Sequence, residues 1–432
     1  MKAKIYVALS ADILHAGHIN ILKKASKLGK VTVGLLTDKA INEYKDLPIL
    51  NFNQRKEILK NLKYIHQIVP QKTMSYIENL KKLKPEIVVH GDDWKQGILK
   101  KSRGEVVKFL KKTKGKLVEI PYTKNISSSS IKNKIQLNMF NKKNNRVSLL
   151  KRLLETKKLV RVLETHSSLA GTIAETIKIQ NNKKKTSFDA FWSSSLTESL
   201  IRSKPDNQSV SLETRVNSLT DLMSCTSKPI LFDADNGGNI EHLDYLIPSL
   251  ERQGVSAIVI EDKVGIKINS LYQNQKVSKQ DSIPFFKKKI QKISKIRKSQ
   301  DFLIISRIES LILNKGLNDA LKRAEEYSKS GADLILIHSK NDNAKEIFQF
   351  SKKFKKSKFF KPLVCVPSTY SKTYEKNLIE NNFSVVIYAN HMLRASYMAM
   401  KKTALSILNN ERSYEAEKNI TSVKDILNVK PN

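Results

Sequence analysis

Eight short apolar runs recur along the last two thirds of the chain, and a helix-length segment follows each of them. Such runs are typical of strands that are buried on both faces of a parallel sheet. One strand and one helix, repeated eight times over about 250 residues, form a (β/α)8 barrel. The runs span 159–163, 188–192, 229–232, 257–260, 302–305, 334–337, 363–366 and 384–388. The pattern therefore predicts an α/β fold with a TIM-type barrel over residues 147–432.

Polar residues follow most of these runs, at the strand ends where barrel enzymes carry their chemistry. Scattered loop residues are the alternative, but they would not place so many functional groups at consecutive strand ends. We therefore expect one anion-binding, acid-lined site at this face of the barrel. Its candidate residues, in strand order, are Ser194, Ser195, Leu196, Asp206, Asp233, Asp235, Glu261, Arg307 and His338.

The loop after the fourth run reads E-D-K-V-G-I-K-I-N-S over residues 261–270. Carboxylates at the strand end can hold a cation, while Lys267, Asn269 and Ser270 offer an ammonium, an amide and a hydroxyl to an anion. This combination predicts a mobile lid over a metal-bound, phosphate-bearing substrate. A solvated loop is the alternative, and a bare E-D-K triplet would favour it.

Three acids at neighbouring strand ends are candidate metal ligands. Asp233, Asp235 and Glu261 could hold Mg²⁺ directly or through water, because this ion prefers oxygen ligands and keeps several waters. One of the three could instead be the structural partner of a barrel lysine.

Two further strand-end residues could bind the substrate. Arg307 could clamp a phosphate or carboxylate with two parallel hydrogen bonds, or it could be buried in an ion pair with Glu309. His338 could donate a hydrogen bond, although a lone histidine here is about as often structural. The backbone amides of 194–196 could face a phosphoryl oxygen.

The full spacing E-D-K-x-x-x-K-x-N-S resembles the loop of phosphoenolpyruvate mutases in the isocitrate lyase superfamily. The resemblance implies the conversion of phosphoenolpyruvate to phosphonopyruvate, with Mg²⁺ as cofactor, in a homo-oligomer that is often a tetramer. It leaves open whether Asp206 is a nucleophile or steadies a metaphosphate-like species. The implied roles are Asp206 beside the migrating phosphoryl group, Asp233 as direct Mg²⁺ ligand, Asp235 and Glu261 in its hydration shell, Lys267, Asn269 and Ser270 in the gating loop, and Arg307 and His338 as substrate clamps.

Relatives with other chemistries differ in this loop. The lyases of the superfamily carry a catalytic cysteine there, and this loop has none. Phosphonopyruvate hydrolases share most of the site but typically lack the asparagine, so Asn269 favours the mutase. Ser195 replaces the glycine that usually follows the first serine, which narrows the expected phosphoryl pocket.

A second motif lies near the start of the chain, between a strand predicted at 4–9 and a helix that ends at Gly29. His15 and His18 are three residues apart, so they face the same way at the start of that helix. A phosphate would meet the helix there, and imidazoles can donate hydrogen bonds as phosphoryl charge develops. A metal pair or a helix cap is the alternative.

This H-x-G-H motif resembles that of the cytidylyltransferase family, which implies a Rossmann-like fold and the use of CTP. Further matches follow in the family's order: a lysine after a helix, a G-x-D loop after a strand, and a serine-rich helix start. The implied nucleotide-binding residues are Lys45, Asp92, Ser127 and Ser128.

Four positions depart from the cytidylyltransferase pattern. Leu9 replaces the family's glycine, Ala11 its aromatic residue, Tyr122 its arginine and Asn125 a second glycine. The missing arginine weakens the expected phosphate contacts, so a nucleotide-sensing or oligomer-building role for this region stays open.

The composition limits other functions. The net charge of +37 comes mostly from lysines spread along the whole chain, so we expect anionic substrates and no nucleic acid. No run of eighteen apolar residues and no signal-peptide pattern occur, so we expect no membrane association. The two cysteines, Cys225 and Cys365, lack metal-ligand spacing and predict thiols in a cytoplasmic protein.

The Asn- and Lys-rich stretch 137–146 is the predicted linker between a nucleotidyltransferase domain at 1–136 and the barrel. Together the motifs predict a bifunctional enzyme of phosphonate biosynthesis. The barrel would make phosphonopyruvate, and the first domain would transfer CMP from CTP to a small phosphonate such as 2-aminoethylphosphonate. The alternative is a phosphonopyruvate hydrolase barrel with a non-catalytic nucleotide-binding module.

Overall fold

The structure, a computed structural model, describes residues 2–44, 47–95, 99–121, 143–181, 184–265, 267–271 and 279–429. The chain divides into two compact units. The first comprises 1–141 with the short segments 155–157 and 178–186, and the second comprises 142–154, 158–177 and 187–432. Most of the predicted linker lies outside the described residues, so the boundary at 137–146 stays a prediction.

The first unit is built on a parallel five-stranded sheet with the strand order β3-β2-β1-β4-β5. Its strands are β1 (Ala3–Leu9), β2 (Gly29–Leu36), β3 (Gln67–Gln71), β4 (Ile87–Gly91) and β5 (Lys116–Ile120). Its helices are Ala16–Leu28, Asp38–Asn42, Phe52–Lys60, Ile77–Leu83 and Lys100–Thr113, with a 3₁₀ turn at Asp92–Lys95. Apolar clusters cover both faces of the sheet. The predicted Rossmann-like fold is confirmed.

The remaining strands belong to the barrel or to two short ribbons. They are β6 (Val160–Glu164), β7 (Lys178–Asn181), β8 (Lys184–Ser187), β9 (Ala190–Ser193), β10 (Ile230–Asp233), β11 (Ala257–Glu261), β12 (Lys263–Val264), β13 (Lys279–Gln280), β14 (Leu303–Ile308), β15 (Leu334–Ile337), β16 (Leu363–Cys365) and β17 (Phe383–Tyr388).

Eight parallel strands form a closed barrel in the order β6, β9, β10, β11, β14, β15, β16 and β17. The last strand pairs with the first, with Val385 opposite Val160. Each strand overlaps one of the eight predicted runs, so the TIM-type barrel is confirmed. Two ribbons stand outside it: β7 pairs with β8, and β12 pairs with β13 at the foot of the loop that follows β11.

Helices connect the strands in sequence, as the repeat predicts. They are Lys143–Thr156, Ser168–Thr176, Ser195–Leu200, Leu212–Ser224, Leu243–Gln253, Ile283–Ile296, Gly316–Lys329, Lys345–Phe354, Glu375–Glu380, His391–Asn410, Tyr414–Glu417 and Val423–Leu427, with a 3₁₀ turn at Ile240–His242. The first begins at Lys143, shortly before the predicted start of the barrel at residue 147. Side-chain caps fix several starts, as where Ser282 accepts from the amide of Phe285.

The barrel core explains why polar groups gather at one end. Strands such as β11 and β15 are buried along their whole length, so apolar side chains fill the interior. The register sets Asp233 beside Val259 and Glu261 beside Arg307. The first polar residues of neighbouring strands therefore reach the same face.

Both cysteines are buried free thiols. None of the helices in the described ranges is long and apolar enough to cross a membrane.

Candidate active site at the strand ends

Three buried acids lie where β10 and β11 end. Asp233 and Glu261 are the final residues of their strands, and Asp235 follows two positions after Asp233. The backbone ties them together: the Asp235 amide donates to Asp233 Oδ1 at 3.2 Å, and the Glu261 amide donates to the Asp235 carbonyl at 2.7 Å. Asp235 holds a φ of 52°, which non-glycine residues rarely adopt. The loop conformation thus serves the placement of this carboxylate.

The ammonium of Lys267 lies among these acids. Its Nζ is 2.5 Å from Asp235 Oδ1 and 2.9 Å from Asp206 Oδ1, and it donates to the Ser195 hydroxyl. Burial alone would lower the pKa of Lys267, but Asp235, Asp233 and Asp206 raise it above its usual value. Lys267 is therefore a permanent positive charge in the cluster.

Asn269 also reaches Asp206. Its Nδ2 donates to Asp206 Oδ2 at 2.8 Å, so the two oxygens of this carboxylate contact Asn269 and Lys267 separately. The Asp206 side chain is only 7% exposed. Lys267 and Asn269 of the loop after β11 thus contact the acids, and the role of this loop as a lid stays a prediction. Residues 266 and 272–278 lie outside the described residues.

Residues 194–196 begin the short helix after β9. Both donors of Ser195 point to one acceptor: its hydroxyl donates to Asp233 Oδ2 at 2.9 Å and its amide at 3.3 Å. Ser194 is the helix N-cap and is buried, and Leu196 is partly exposed. The amides of Ser194 and Leu196 therefore remain the better candidates for contact with a phosphoryl oxygen.

Arg307 lies in a second charged group next to Glu261. Its Nε is 2.6 Å from Glu309 Oε1, its Nη1 is 3.5 Å from Glu261, and its Nη2 donates to Ser270 Oγ at 2.6 Å. Arg307 therefore forms the ion pair with Glu309 that the sequence left open as an alternative. It also lies beside the strand-end acids, because it contacts Glu261. Lys263 lies 3.3 Å from Glu309 as a further cation.

The two glutamates of this group carry opposite pKa shifts. Burial raises the pKa of Glu261 to about 7, because the attraction of Arg307 only partly offsets it. Burial also opposes ionisation of Glu309, but Arg307 and Lys263 together lower its pKa to about 2. Arg307 and Lys263 therefore keep Glu309 ionised, whereas the positive charge near Glu261 does not offset the burial of that carboxylate.

His338 follows β15 and is 3% exposed. Burial, with the nearby charges of Arg307 and Lys263, lowers its pKa to about 3. Within the described residues its Nδ1 has no hydrogen-bond partner. The ring is neutral at neutral pH, so it can give or take one hydrogen bond but carries no charge.

The neutral state of His338 predicts a loss of stability in acid. The folded state takes up this proton only near pH 3, whereas the unfolded chain takes it up near 6.5, so the stabilisation is full above pH 6.5 and is lost as the pH falls towards 3. This proton uptake should lower the free energy of unfolding by on the order of 3 kcal/mol between pH 7 and pH 4, and we expect His338→Asn to remove that decrease. Urea unfolding, followed by Trp192 fluorescence in a Trp94→Phe background, measures it. An equal pH dependence in His338→Asn and in the exposed-site control His242→Asn would contradict the assignment.

Two charged residues were not identified from the sequence. Arg215 is fully buried between Glu198, at 3.6 Å, and Asp235, at 3.5 Å, and its guanidinium lies over the ring of Phe232. Both Arg215 and Glu198 lie on helices, whereas the candidates predicted from the repeat lie at strand ends or in the loops that follow them. An arginine on an otherwise apolar helix face is the one signal that could have revealed this pair.

Asp262, the residue after Glu261, holds the start of the loop after β11 in place through hydrogen bonds. Asp262 accepts from Arg323 at 3.1 Å, Tyr327 at 2.8 Å and Gln280 at 2.9 Å. The amide of Asp281 donates to the carbonyl of Asp262, which joins the two feet of the loop. Asp262 is therefore a structural anchor.

The acids suit a hard cation in their chemistry. Asp233, Asp235 and Glu261 supply only oxygen donors, and Asp235 Oδ1 is buried without hydrogen-bond geometry to any donor of the described residues, although Lys267 is close. No three His, Cys, Asp or Glu side chains in the described part are already arranged around one point. The donor set therefore fits Mg²⁺, with Lys267 adjacent to it.

The two histidines of the first unit lie together. The rings of His15 and His18 have centroids 4.0 Å apart, and His15 caps the helix Ala16–Leu28 by accepting from the Gly17 amide. Burial lowers the pKa of His15. Buried Arg55 holds the preceding loop through the carbonyl of Ser10.

Of the remaining nucleotide-site candidates, Asp92 lies within the described residues. Asp92 starts the 3₁₀ turn after β4, as a residue of the strand-end loop should. Lys45, Ser127 and Ser128, and also Tyr122 and Asn125, lie outside the described residues.

Comparisons with known families agree with the division of the chain. The family model for phosphoenolpyruvate phosphomutase matches residues 150–408, and the cytidylyltransferase-like family model matches residues 10–134.

Three relatives illustrate the similarity. A phosphoenolpyruvate phosphomutase of Tetrahymena pyriformis is 32% identical over 284 residues, 65% of this chain and 89% of that protein. A phosphonopyruvate hydrolase of Variovorax sp. (strain Pal2) is 30% identical over 282 residues, 65% of this chain and 93% of that protein. A glycerol-3-phosphate cytidylyltransferase of Staphylococcus aureus (strain NCTC 8325 / PS 47) is 30% identical over 107 residues, 24% of this chain and 80% of that protein.

Two solved structures resemble the barrel. A phosphoenolpyruvate phosphomutase from Streptomyces platensis subsp. rosaceus has a TM-score of 0.60 at 29% identity, covering 66% of this chain and 94% of that one. A phosphonopyruvate hydrolase in complex with oxalate and Mg²⁺ has a TM-score of 0.58 at 29% identity, with the same coverage.

Proposed function

Because the chain belongs to the phosphoenolpyruvate phosphomutase family and carries a cytidylyltransferase-like domain before the barrel, we propose a bifunctional enzyme of phosphonate biosynthesis. The barrel isomerises phosphoenolpyruvate to phosphonopyruvate. The first domain transfers CMP from CTP to a small phosphonate such as 2-aminoethylphosphonate and releases pyrophosphate. The contact of both Lys267 and Asn269 with Asp206, beside the strand-end acids, carries the proposal for the barrel.

The isomerisation moves one phosphoryl group within one substrate. The bond from phosphorus to the enol oxygen breaks, a bond from phosphorus to C3 forms, and the enol becomes a ketone without gain or loss of a proton. Asp206 lies beside the moving group, and Lys267 and Asn269 stabilise its anionic oxygens. Arg307 binds the substrate carboxylate, and neutral His338 donates to the oxygen at C2. Ser194, Ser195, Leu196 and Ser270 complete the substrate pocket.

The acids of the site supply the ligands for the cofactor. Asp233 would hold Mg²⁺ directly, with Asp235 and Glu261 contributing through water. The ion, when bound, supplies positive charge for the enolate and phosphonate oxygens. A phosphonopyruvate hydrolase crystallised with oxalate and Mg²⁺ supports the choice of this ion.

The barrel activity is tested by incubating the protein with phosphonopyruvate and Mg²⁺ and following ³¹P resonances. We expect phosphoenolpyruvate as the product. Asn269→Ala should lower kcat by at least about a hundredfold, because one hydrogen bond to the phosphoryl region is lost in the transition state. Its affinity for Mn²⁺, measured directly as a probe of the metal site, should change far less.

Asn377→Ala, on an exposed helix of the same barrel, is the matched control and should behave as the wild type. Unchanged turnover in Asn269→Ala would instead support the alternative that this stretch is a solvated loop without a role in catalysis.

A hydrolase barrel is the second candidate, because the Variovorax hydrolase is matched about as well as the mutases. It would give pyruvate and phosphate from phosphonopyruvate, with no phosphoenolpyruvate. The same ³¹P experiment separates the two activities.

The first domain is tested with CTP, Mg²⁺ and several phosphonates. His15 and His18 at the start of their helix support nucleotidyl transfer, as does similarity to a cytidylyltransferase. We expect a CMP-phosphonate and pyrophosphate, and expect His18→Ala to abolish both. CTP binding without turnover of any phosphonate would favour the non-catalytic nucleotide-binding module instead.

A further inference from the structure

The hydroxyl of Ser195 joins Lys267 and Asp233, two groups of the barrel site between which the described residues form no direct hydrogen bond. It accepts a hydrogen bond from Lys267, which comes from the loop after β11. It donates at 2.9 Å to Asp233 Oδ2, at the end of β10. Ser195 itself follows β9, so its side chain connects groups from three consecutive barrel strands.

The hydroxyl has little freedom to do anything else. A serine oxygen has one hydrogen to donate and two lone pairs to accept with, and this one uses its donor on Asp233 and accepts from Lys267. Ser195 as a whole is only 2% exposed. A residue without a hydroxyl at this position would leave Lys267 with Asp206 and Asp235, and would leave Asp233 Oδ2 with the weaker contact from the amide of residue 195 at 3.3 Å.

We infer that Ser195 is a positioning residue that fixes the Lys267 ammonium against Asp233 and thereby favours isomerisation over hydrolysis; this rests on the proposed function of the barrel. The two reactions share the broken phosphorus–carbon bond when run from phosphonopyruvate. In isomerisation the phosphoryl group passes to the C2 oxygen of the same substrate.

In hydrolysis a water oxygen bonds to phosphorus, one water proton passes to C3, and pyruvate and phosphate result. An ammonium held in one place orients the phosphoryl oxygens towards the C2 oxygen and fills space that water would need. A loosely held ammonium does neither as well.

The first measurement is the ratio of pyruvate to phosphoenolpyruvate formed from phosphonopyruvate by the full-length enzyme with Mg²⁺. In Ser195→Ala this ratio should rise about tenfold over the wild type, which corresponds to a modest change in relative barrier heights. Ser224→Ala replaces an exposed serine at a helix end of the same barrel and should leave the ratio unchanged.

The second measurement does not depend on activity. Lys267 and Lys263 are 6% and 5% exposed, so both amines should resist acylation by a water-soluble reagent, with mass spectrometry as the readout. In Ser195→Ala the acylation rate of Lys267 should rise at least about fivefold, because one of its hydrogen bonds is gone. The Lys263 ammonium contacts Ile268, Ser270 and Glu309 instead of Ser195 and provides the internal control.

The outcomes separate the two proposals. Formation of neither product by the wild type would refute the proposed function. An active wild type, together with an unchanged ratio and unchanged Lys267 labelling in folded Ser195→Ala, would refute the role of Ser195 alone. A changed ratio with selective labelling of Lys267 supports it.

Discussion

Lys267→Met is expected to lower kcat/KM for phosphonopyruvate by at least about a thousandfold, the largest effect expected from a single substitution in the barrel. The ammonium is the cation that contacts Asp206 and Asp235 together, at 2.9 and 2.5 Å. Without it, the two acids repel an anionic substrate and the phosphoryl oxygens lose a positive charge in a buried site. Initial rates with phosphonopyruvate over a range of concentrations measure the effect.

Lys279→Met is the control, because Lys279 is an exposed lysine at the other foot of the same loop. It should retain wild-type kinetics. A Lys267→Met enzyme with kcat/KM within about tenfold of the wild type would mean that the ammonium balances the acids and takes no part in turnover.

Arg215→Met is expected to lower the free energy of unfolding of the barrel by about 3–5 kcal/mol, because it leaves two buried acids without their shared cation. The guanidinium lies between Glu198 and Asp235 and also donates to the carbonyl of Ser193 at 3.4 Å. Methionine approximates the length of the arginine stem, so the packing loss is small beside the loss of charge. Urea unfolding of the Trp94→Phe protein, followed by Trp192, reports on the barrel.

Arg252→Met provides the comparison, since Arg252 is exposed on the neighbouring helix Leu243–Gln253. Its free energy of unfolding should stay within about 0.5 kcal/mol of the parent. Equal stability of Arg215→Met and Arg252→Met would show that the acids find other partners or protonate at no cost.

The barrel could be predicted from the sequence because its strands are buried on both faces and so read as unbroken apolar runs. Strand β3 was not predicted, and its sequence shows why. Gln67–Gln71 reads Q-I-V-P-Q, with polar ends and a proline, which is tolerated because β3 lies at the edge of its sheet. Only its parallel pairing with β2 identifies it.

The site divides in the same way. Strand-end residues such as Asp233 and Glu261 could be found because barrel topology brings the ends of neighbouring strands together. The buried cation beside Asp235 could not be found, because Arg215 comes from a helix, and Ser195 was identified without the side-chain bridge that it forms. Periodicity locates an element, but the direction of a single hydroxyl depends on packing in three dimensions.

Closure of the barrel by pairing of β17 with β6 has a consequence for biosynthesis. All five strands of the first sheet have been synthesised once residue 120 is made, whereas the barrel lacks its last strand until residue 388. At about 5–20 residues per second, this interval lasts on the order of ten seconds or more. Once β6 has been made, its edge that pairs with β17 has no neighbour until the interval ends, and β16 lacks the same neighbour from residue 365 onwards. A nascent chain stalled before residue 383 should therefore be protease-sensitive after residue 143 while its first domain is already resistant.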